Sequence, residues 1–219
     1  MTNIPLSDSQ SKKIKVICIA PTASDSLLTS IKQLFSLKPA GWKISVDLIL
    51  ERPTTSLNQL IASLGLAITV IPVTSVRQLQ KAANERAKDN QDEFAATLWI
   101  DARSTLVSDA FSRLESFSLK YPNAVLIGKF SSGSPVTADA QSLDSQAMAQ
   151  ARTVALQSLP FDVDQFERNF VFVPDSVAKK VGQPVGLLNE RLNYRWFVRR
   201  ARKAGSRCME MPGNFGALN

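Results

Sequence analysis

The 219-residue sequence contains no histidine and only two cysteines. Without histidine, nucleophilic catalysis of the Ser-His or Cys-His type is excluded, and so are zinc sites of the His-Glu-x-x-His kind. Cys18 falls inside an apolar run and Cys208 lies near the end of the sequence, so the pair predicts free thiols rather than a disulfide framework or a metal site. Any catalysis must therefore depend on carboxylates.

Long apolar runs are absent too. The longest, such as residues 16–20, fall well below the ~20 residues that are needed to cross a bilayer. The first residues have neither the basic region nor the apolar region of a signal peptide. We therefore expect a cytoplasmic protein without a membrane-spanning helix.

Positive charge is in excess, with a formal net charge of +7, and it is concentrated near the end of the sequence. Residues 191–207 contain seven Lys or Arg and no acidic residue. Such a segment attracts an anionic partner, whether a nucleotide, a phosphorylated lipid, nucleic acid or a membrane surface. The sequence alone leaves these alternatives open.

Short apolar runs alternate with stretches of helical periodicity. Strands are predicted at 14–20, 44–50, 67–72, 96–101, 124–130 and 169–173, and helices at 27–35, 56–64, 75–89, 108–120, 174–181 and 188–204. This order predicts an α/β fold with a mostly parallel central sheet and helices on both faces. We expect residues 1–12 to be a flexible leader, 13–219 to be a single domain, and 131–164 to be irregular.

Ligands of such sheets bind beyond the carboxyl ends of the strands, which directs attention to the loops after Ala20, Leu50 and Ile100. Asp101 lies at one of these ends and is either a site residue or the cap of an Asx-type turn. Residues 162–164 are Asp-Val-Asp, an Asp-x-Asp sequence in a predicted loop, and are not expected to form a metal site.

Five segments, in their order along residues 14–216, resemble the family 2 glycosyltransferases of the GT-A fold. They are residues 14–31 with the Pro-Thr loop, 80–87, 97–111 with the Asp-x-Asp turn, 169–182, and 194–205. That family transfers a sugar from a nucleotide-sugar donor to an acceptor hydroxyl. The resemblance implies a nucleotide-sugar donor, a saccharide or lipid-linked acceptor, and no organic cofactor.

The resemblance also assigns donor-binding roles. It implies that Pro21 and Thr22 contact the donor, that Glu51 lies near the base, and that Asp101 and Arg103 lie at the diphosphate. In the family, the second acid of the Asp-x-Asp turn binds Mg²⁺ or Mn²⁺, and here it is Arg103. Asp101 then remains as the metal ligand, or a guanidinium neutralises the diphosphate without a metal, or the site is inactive.

The catalytic base of the family has no direct counterpart, because Tyr194 and Trp196 occupy the acidic positions. Glu190, one turn earlier, is the local carboxylate that could serve as the base; the alternative is an acid that only stabilises a helix N-terminus. Trp196, Arg199 and Arg200 are predicted to bind acceptor or phosphate, against the alternative of a solvated face.

Three functional hypotheses follow. The first is a glycosyltransferase domain, either metal-independent or using Mg²⁺ or Mn²⁺. The second is a catalytically inactive relative that serves as a binding or scaffold protein. The third is a basic module that docks on nucleic acid or an anionic membrane, which would place a cytoplasmic protein at the membrane periphery. No recognised nucleic-acid motif is present, so a specific nucleic-acid partner is not expected.

Overall fold

The fold was analysed in a computed structural model that describes residues 11–20, 25–89, 93–132, 161–163, 170–184 and 190–218. The strands are β1 (Lys12–Ala20), β2 (Trp42–Glu51), β3 (Ile68–Val73), β4 (Ala96–Asp101), β5 (Ser104–Leu106), β6 (Ala124–Ser132), β7 (Phe161–Asp162), β8 (Phe170–Pro174) and β9 (Arg207–Leu218). The helices are α1 (Asp25–Leu37), α2 (Thr55–Ser63), α3 (Val76–Lys88), α4 (Ala110–Lys120), α5 (Asp175–Val181) and α6 (Glu190–Lys203).

One sheet runs through the molecule in the order β3-β2-β1-β4-β8-β6-β9-β5, and β7 pairs with β9. The pairs β3·β2, β2·β1, β1·β4 and β6·β9 are parallel, whereas β8, β5 and β7 run antiparallel to their neighbours. The predicted α/β architecture with a mostly parallel sheet is confirmed.

Helices cover both faces of the sheet, as predicted. On one face, apolar side chains of α1, α2 and α4 pack on the sheet, with Leu27, Ile61 and Phe111 among them. On the other, α3, α5 and α6 contribute residues such as Leu79 and Phe197. Because both faces are covered, strands such as β4 are buried along almost their whole length and read as continuous apolar runs.

Several boundaries differ from those predicted. The strand β1 begins at Lys12, which pairs with Trp42, so the strand reaches into the segment predicted as a leader. The helix α4 begins at Ala110 and not at residue 108 as predicted, and its N-cap Asp109 makes no side-chain hydrogen bond. Residues 1–10 and 133–160 lie outside the described residues, and the flexible leader and the single domain stay predictions.

The last strand, β9, is irregular in its middle. β9 pairs in parallel with β6 at both of its ends, with shifts of register between Ile127 and Phe130. Pro212 and Gly213, the latter with a φ of 80°, lie between the two paired parts. Arg113 of α4 donates to the carbonyls of Pro212 and Asn214, and this satisfies backbone groups that the irregular pairing leaves open.

Candidate functional site

The carboxyl ends of β1, β2 and β4 meet at one edge of the sheet. The parallel register pairs Ile19 with Asp101 and Ala20 with Leu50. Side chains alternate along a strand, so Asp101 and Glu51 point to the same face as Trp99 and Ile49, which belong to the core cluster beneath α3, α5 and α6. The two acids that the sequence assigned to a donor site therefore share one edge and one face.

Asp101 and Arg103 form a forked ion pair at the end of β4. Arg103 Nε donates to Asp101 Oδ1 at 3.0 Å and Nη2 donates to Oδ2 at 2.7 Å. The backbone N–H of Arg103 also donates to Oδ1 at 2.9 Å, which closes an Asx-type turn. Asp101 thus caps the turn and also orients the Arg103 guanidinium. The sequence left two alternatives for Asp101, a site residue or the cap of a turn, and this geometry is compatible with both.

The turn that carries this pair is anchored on both sides. The N–H of Ala102 donates to the carbonyl of Ile19 at 3.0 Å, and the Ser104 hydroxyl donates to the carbonyl of Asp101. Gln33 of α1 exchanges two hydrogen bonds with the backbone of Leu106, at 3.1 and 3.0 Å. Gln33 acts as a side-chain substitute for a neighbouring strand, so β5 and the turn before it are held against α1.

A divalent cation does not fit Asp101 in this arrangement. Both carboxylate oxygens accept from Arg103, whose positive charge opposes a second cation. Within the described part of the chain, no group of three or more acidic or cysteine side chains is close enough to hold a metal. Asp162, from the other Asp-x-Asp, bonds Arg207 at the amino end of β9, and Asp164 is not described.

The surroundings of Asp101 favour a charged Arg103 side chain and a neutral Cys18 thiol. The hydrogen bonds and the negative charge of Asp101 raise the pKa of Arg103. Burial, followed by the charge of Asp101, raises the pKa of Cys18 well above its usual range. The polar group that this part of the site offers to a ligand is consequently the guanidinium, because 48% of the Arg103 side chain is exposed and only 16% of Asp101 is.

The loop after β2 has an unusual backbone. Arg52 has a φ of 48°, a left-handed conformation that is uncommon for residues other than glycine. Its N–H donates to the carbonyl of Val73 at 3.0 Å, and its guanidinium lies 3.9 Å from the Glu51 carboxylate. Glu51 is thus at the predicted edge, and the left-handed residue Arg52 follows it directly. Pro21 and Thr22 lie outside the described residues.

The basic helix α6 begins at Glu190, whose side chain is not described. Its inner face consists of Tyr194, Phe197, Val198 and Ala201, each at most 1% exposed, as the helical wheel predicts. These residues share a cluster with Trp99, so α6 covers the face of the sheet that Asp101 points to. Trp196 is 61% exposed, and the guanidinium of Arg199 lies 5.7 Å from its ring centroid.

The structure therefore brings some predicted residues together and leaves others apart. Asp101 and Arg103 are in contact, and Trp196 and Arg199 are in contact, but no contact among the described residues joins the two pairs. The roles of Glu190, Trp196, Arg199 and Arg200 stay predictions.

Sequence reasoning missed a buried charged network between β1, β2 and α3. Asp47 of β2, which is 3% exposed, accepts from Arg86 Nε and Nη2 at 3.1 and 3.2 Å and lies 3.4 Å from Lys15 Nζ. Lys15 also donates to the carbonyls of Arg86 and Asp89, which end α3. Arg86 lies on helix α3 with 35% of its side chain exposed, and its guanidinium reaches inward to the Asp47 carboxylate. A lysine and an aspartate inside apolar strands were the signal.

Comparison with known proteins supports the fold. No protein-family model matches the sequence, and no curated protein does. The arrangement of strands and helices is a GT-A-like α/β fold, and solved glycosyltransferases share it. Staphylococcus aureus TarS 1–349 superposes with a TM-score of 0.63 at 11% identity, over 94% of this chain and 60% of that one. GalNAc-T7 with UDP, GalNAc and Mn²⁺ gives 0.67 at 11%, over 94% and 43%.

A third structure is the mannosyltransferase PcManGT from Pyrobaculum calidifontis, in complex with GDP-Man and Mn²⁺. Its TM-score is 0.61 at 12% identity, over 96% of this chain and 58% of that one. The chain thus spans between two fifths and three fifths of the length of these enzymes. At such identities the likeness establishes the fold alone. No helix in the described residues is long and apolar enough to cross a membrane.

Proposed function

We propose that this chain is a glycosyltransferase-like domain that binds a nucleotide-diphosphate sugar at the carboxyl ends of β1, β2 and β4, without a divalent cation. The observation that carries the proposal is the forked pair of Asp101 and Arg103 at the end of β4. It presents a permanently charged, partly exposed guanidinium where the resemblance implies the donor's diphosphate. Glu51, on the same face, is the group proposed to accept a hydrogen bond from the base.

Arg103 would perform two tasks in this site. Its planar fork matches two phosphate oxygens, so it fixes the position of the diphosphate. It also neutralises the charge that develops on the β-phosphate oxygen as the bond between that oxygen and the anomeric carbon breaks. Asp101 holds the guanidinium in place beforehand by accepting from its Nε and Nη2, and it fixes the turn by accepting from the Arg103 backbone N–H. Both tasks use the side chain that replaces the family's second acid.

The transfer itself requires a general base. The acceptor hydroxyl oxygen would form the new bond to the anomeric carbon and lose its proton, and Glu190 is the residue we propose to receive it. In support, α6 covers the face to which Asp101 points. In a second candidate function the chain binds the donor but does not turn it over. The observation that favours this alternative is the buried Tyr194 at a position where the resemblance implies an acid.

The first experiment measures donor binding. Titration calorimetry with UDP and GDP, in EDTA and then in Mn²⁺, should give the same affinity under both conditions. Arg103→Ala should weaken binding roughly 10- to 100-fold, since charge-assisted hydrogen bonds contribute about 1.5–3 kcal/mol. Arg207→Ala is the matched control, because Arg207 makes the same forked pair with Asp162 at the amino end of β9. No heat with either nucleotide would refute the proposed site.

The second experiment separates the two candidate functions. Release of UDP or GDP from a panel of nucleotide sugars is followed with and without candidate saccharide acceptors. Turnover that falls at least a hundredfold in Glu190→Gln, with nucleotide affinity unchanged, would establish the transferase and its base. Tight nucleotide binding with no turnover in the unaltered protein would instead establish the inactive donor-binding form.

A further inference from the structure

The outward face of α6 combines one exposed tryptophan with several cations. At 3.6 residues per turn, the side chains opposite the buried Tyr194, Phe197, Val198 and Ala201 point directly away from the sheet. We call this surface the basic face, and it consists of Arg195, Trp196, Arg199, Arg200 and Lys203, all of which are exposed. Trp196 belongs to this face, and the Arg199 guanidinium lies 5.7 Å from its ring centroid.

The charge of the basic face is not balanced locally. No acidic residue occurs from Arg191 to Met209. Of the other cations nearby, Arg207 is paired with Asp162, and Arg202 donates to the carbonyl of Val163 at 3.2 Å. Within the described part of the chain, the four cations of the basic face form no ion pair. In the described residues these cations face solvent.

The apolar component of the basic face narrows the class of partner. A single-stranded nucleic acid is held by several aromatic side chains in a basic groove, whereas the basic face carries one aromatic ring. An indole that is apolar at one end and a hydrogen-bond donor at the other suits the headgroup region of a bilayer. Flanking arginine and lysine side chains reach lipid phosphates from the same helix.

From these observations we propose that the basic face binds the surface of an anionic membrane, with Trp196 in the headgroup region and the four cations at lipid phosphates. The helix lies on the surface and does not enter the hydrocarbon core, because its inner face is packed on the sheet. This inference is independent of nucleotide binding, since none of the five residues contacts the Asp101–Arg103 pair in the described residues.

Binding to vesicles can be followed by the fluorescence of Trp196. The chain contains three tryptophans, and the other two, Trp42 and Trp99, are at most 2% exposed. Changes of tryptophan emission on mixing with vesicles therefore report on Trp196. Vesicles of phosphatidylcholine with phosphatidylserine should shift the emission to the blue, and brominated lipids should quench it. Pure phosphatidylcholine vesicles should do neither, and added salt should reverse the effect.

Variants test the assignment to the basic face. Arg199→Ala combined with Lys203→Ala should weaken vesicle binding roughly 30-fold, since each cation near the surface contributes a factor of roughly five. Lys43→Ala combined with Lys88→Ala removes the same charge from exposed positions elsewhere and should change binding little. Vesicle sedimentation provides the affinity, so Trp196→Phe can also be measured.

Three outcomes would overturn the inference. One is equal binding to charged and neutral vesicles, and another is equal loss in the two double variants. The third is binding to duplex DNA or single-stranded RNA, lost in Arg199→Ala with Lys203→Ala, together with no binding to vesicles; this result would assign the basic face to nucleic acid. Thermal unfolding of each variant identifies any loss that arises from misfolding.

Discussion

Replacement of Asp47 by alanine should destabilise the protein strongly without changing any residue of the proposed donor site. Asp47 is 3% exposed and neutralises both the Lys15 ammonium, at 3.4 Å, and the Arg86 guanidinium, at 3.1 Å. Its removal leaves Lys15 buried with no carboxylate partner among the described residues, and the carbonyls of Arg86 and Asp89 and the Phe94 ring, 5.6 Å from Nζ, as its remaining contacts. Breaking a buried ion pair in this way costs about 3–5 kcal/mol. For a chain of this size, that predicts a fall in Tm of roughly 6–20 °C.

Urea unfolding followed by circular dichroism would measure the loss, with calorimetry for Tm. The informative control is the double variant Lys15→Met with Asp47→Leu, which removes both charges and retains apolar volume in the strands. It should be more stable than Asp47→Ala alone, because no uncompensated charge is left in the interior. A loss below about 1 kcal/mol in Asp47→Ala would refute the reasoning, since it would mean that Lys15 is hydrated or finds another partner.

Two further predictions concern the ends of β9. Gly216→Ala would place a methyl group against the carbonyl of Thr105 and 2.9 Å from the Phe130 ring, and should cost at least about 1–3 kcal/mol in urea unfolding. Gly41→Ala, where nothing lies within 4 Å, should change stability little. Burial raises the pKa of Cys208 from 9.0 to about 12, so its thiol should resist Ellman's reagent at pH 8 in the folded protein. Since the thiol ionises earlier in the unfolded chain, Cys208 contributes stability below pH 9 that is lost as the pH rises towards 12; a faster reaction in the folded state than in urea would contradict this.

The parts of the fold that depend on local pattern were predictable. β1, β2 and β4 are buried on both faces, so their sequences are continuous apolar runs that stand out from the helical segments between them. The inner face of α6 was also predictable, because Tyr194 and Phe197 recur at helical spacing. β5 was not, since its three residues have no pattern of their own and are held by β9 and Gln33.

The candidate site was likewise predictable only in the features that depend on local sequence. Asp101 was predictable because it ends an apolar strand, and Arg103 because it occupies a position where the resemblance implies an acid. The forked contact between them was not predictable, because residues two positions apart can bond in this manner only when the chain turns between them. The hydrogen bonds that hold this turn come from β1 and α1, which are distant in the sequence. The network around Asp47 joins residues 39 and 32 positions apart, which no local pattern reveals.

The forked pair also bears on whether Arg103 can serve a ligand at all. The bonds that Arg103 donates to Asp101 and those that it would donate to a phosphate are charge-assisted hydrogen bonds of the same kind, about 1.5–3 kcal/mol each. A diphosphate competes favourably because 48% of the Arg103 side chain is exposed and a diphosphate carries more negative charge than one carboxylate. After such an exchange, Asp101 still accepts from the Arg103 N–H, which keeps the turn closed. The pair with Asp101 therefore positions Arg103 for a ligand and does not prevent it from binding one. A lysine cannot donate two parallel hydrogen bonds in this way, so it should not replace Arg103.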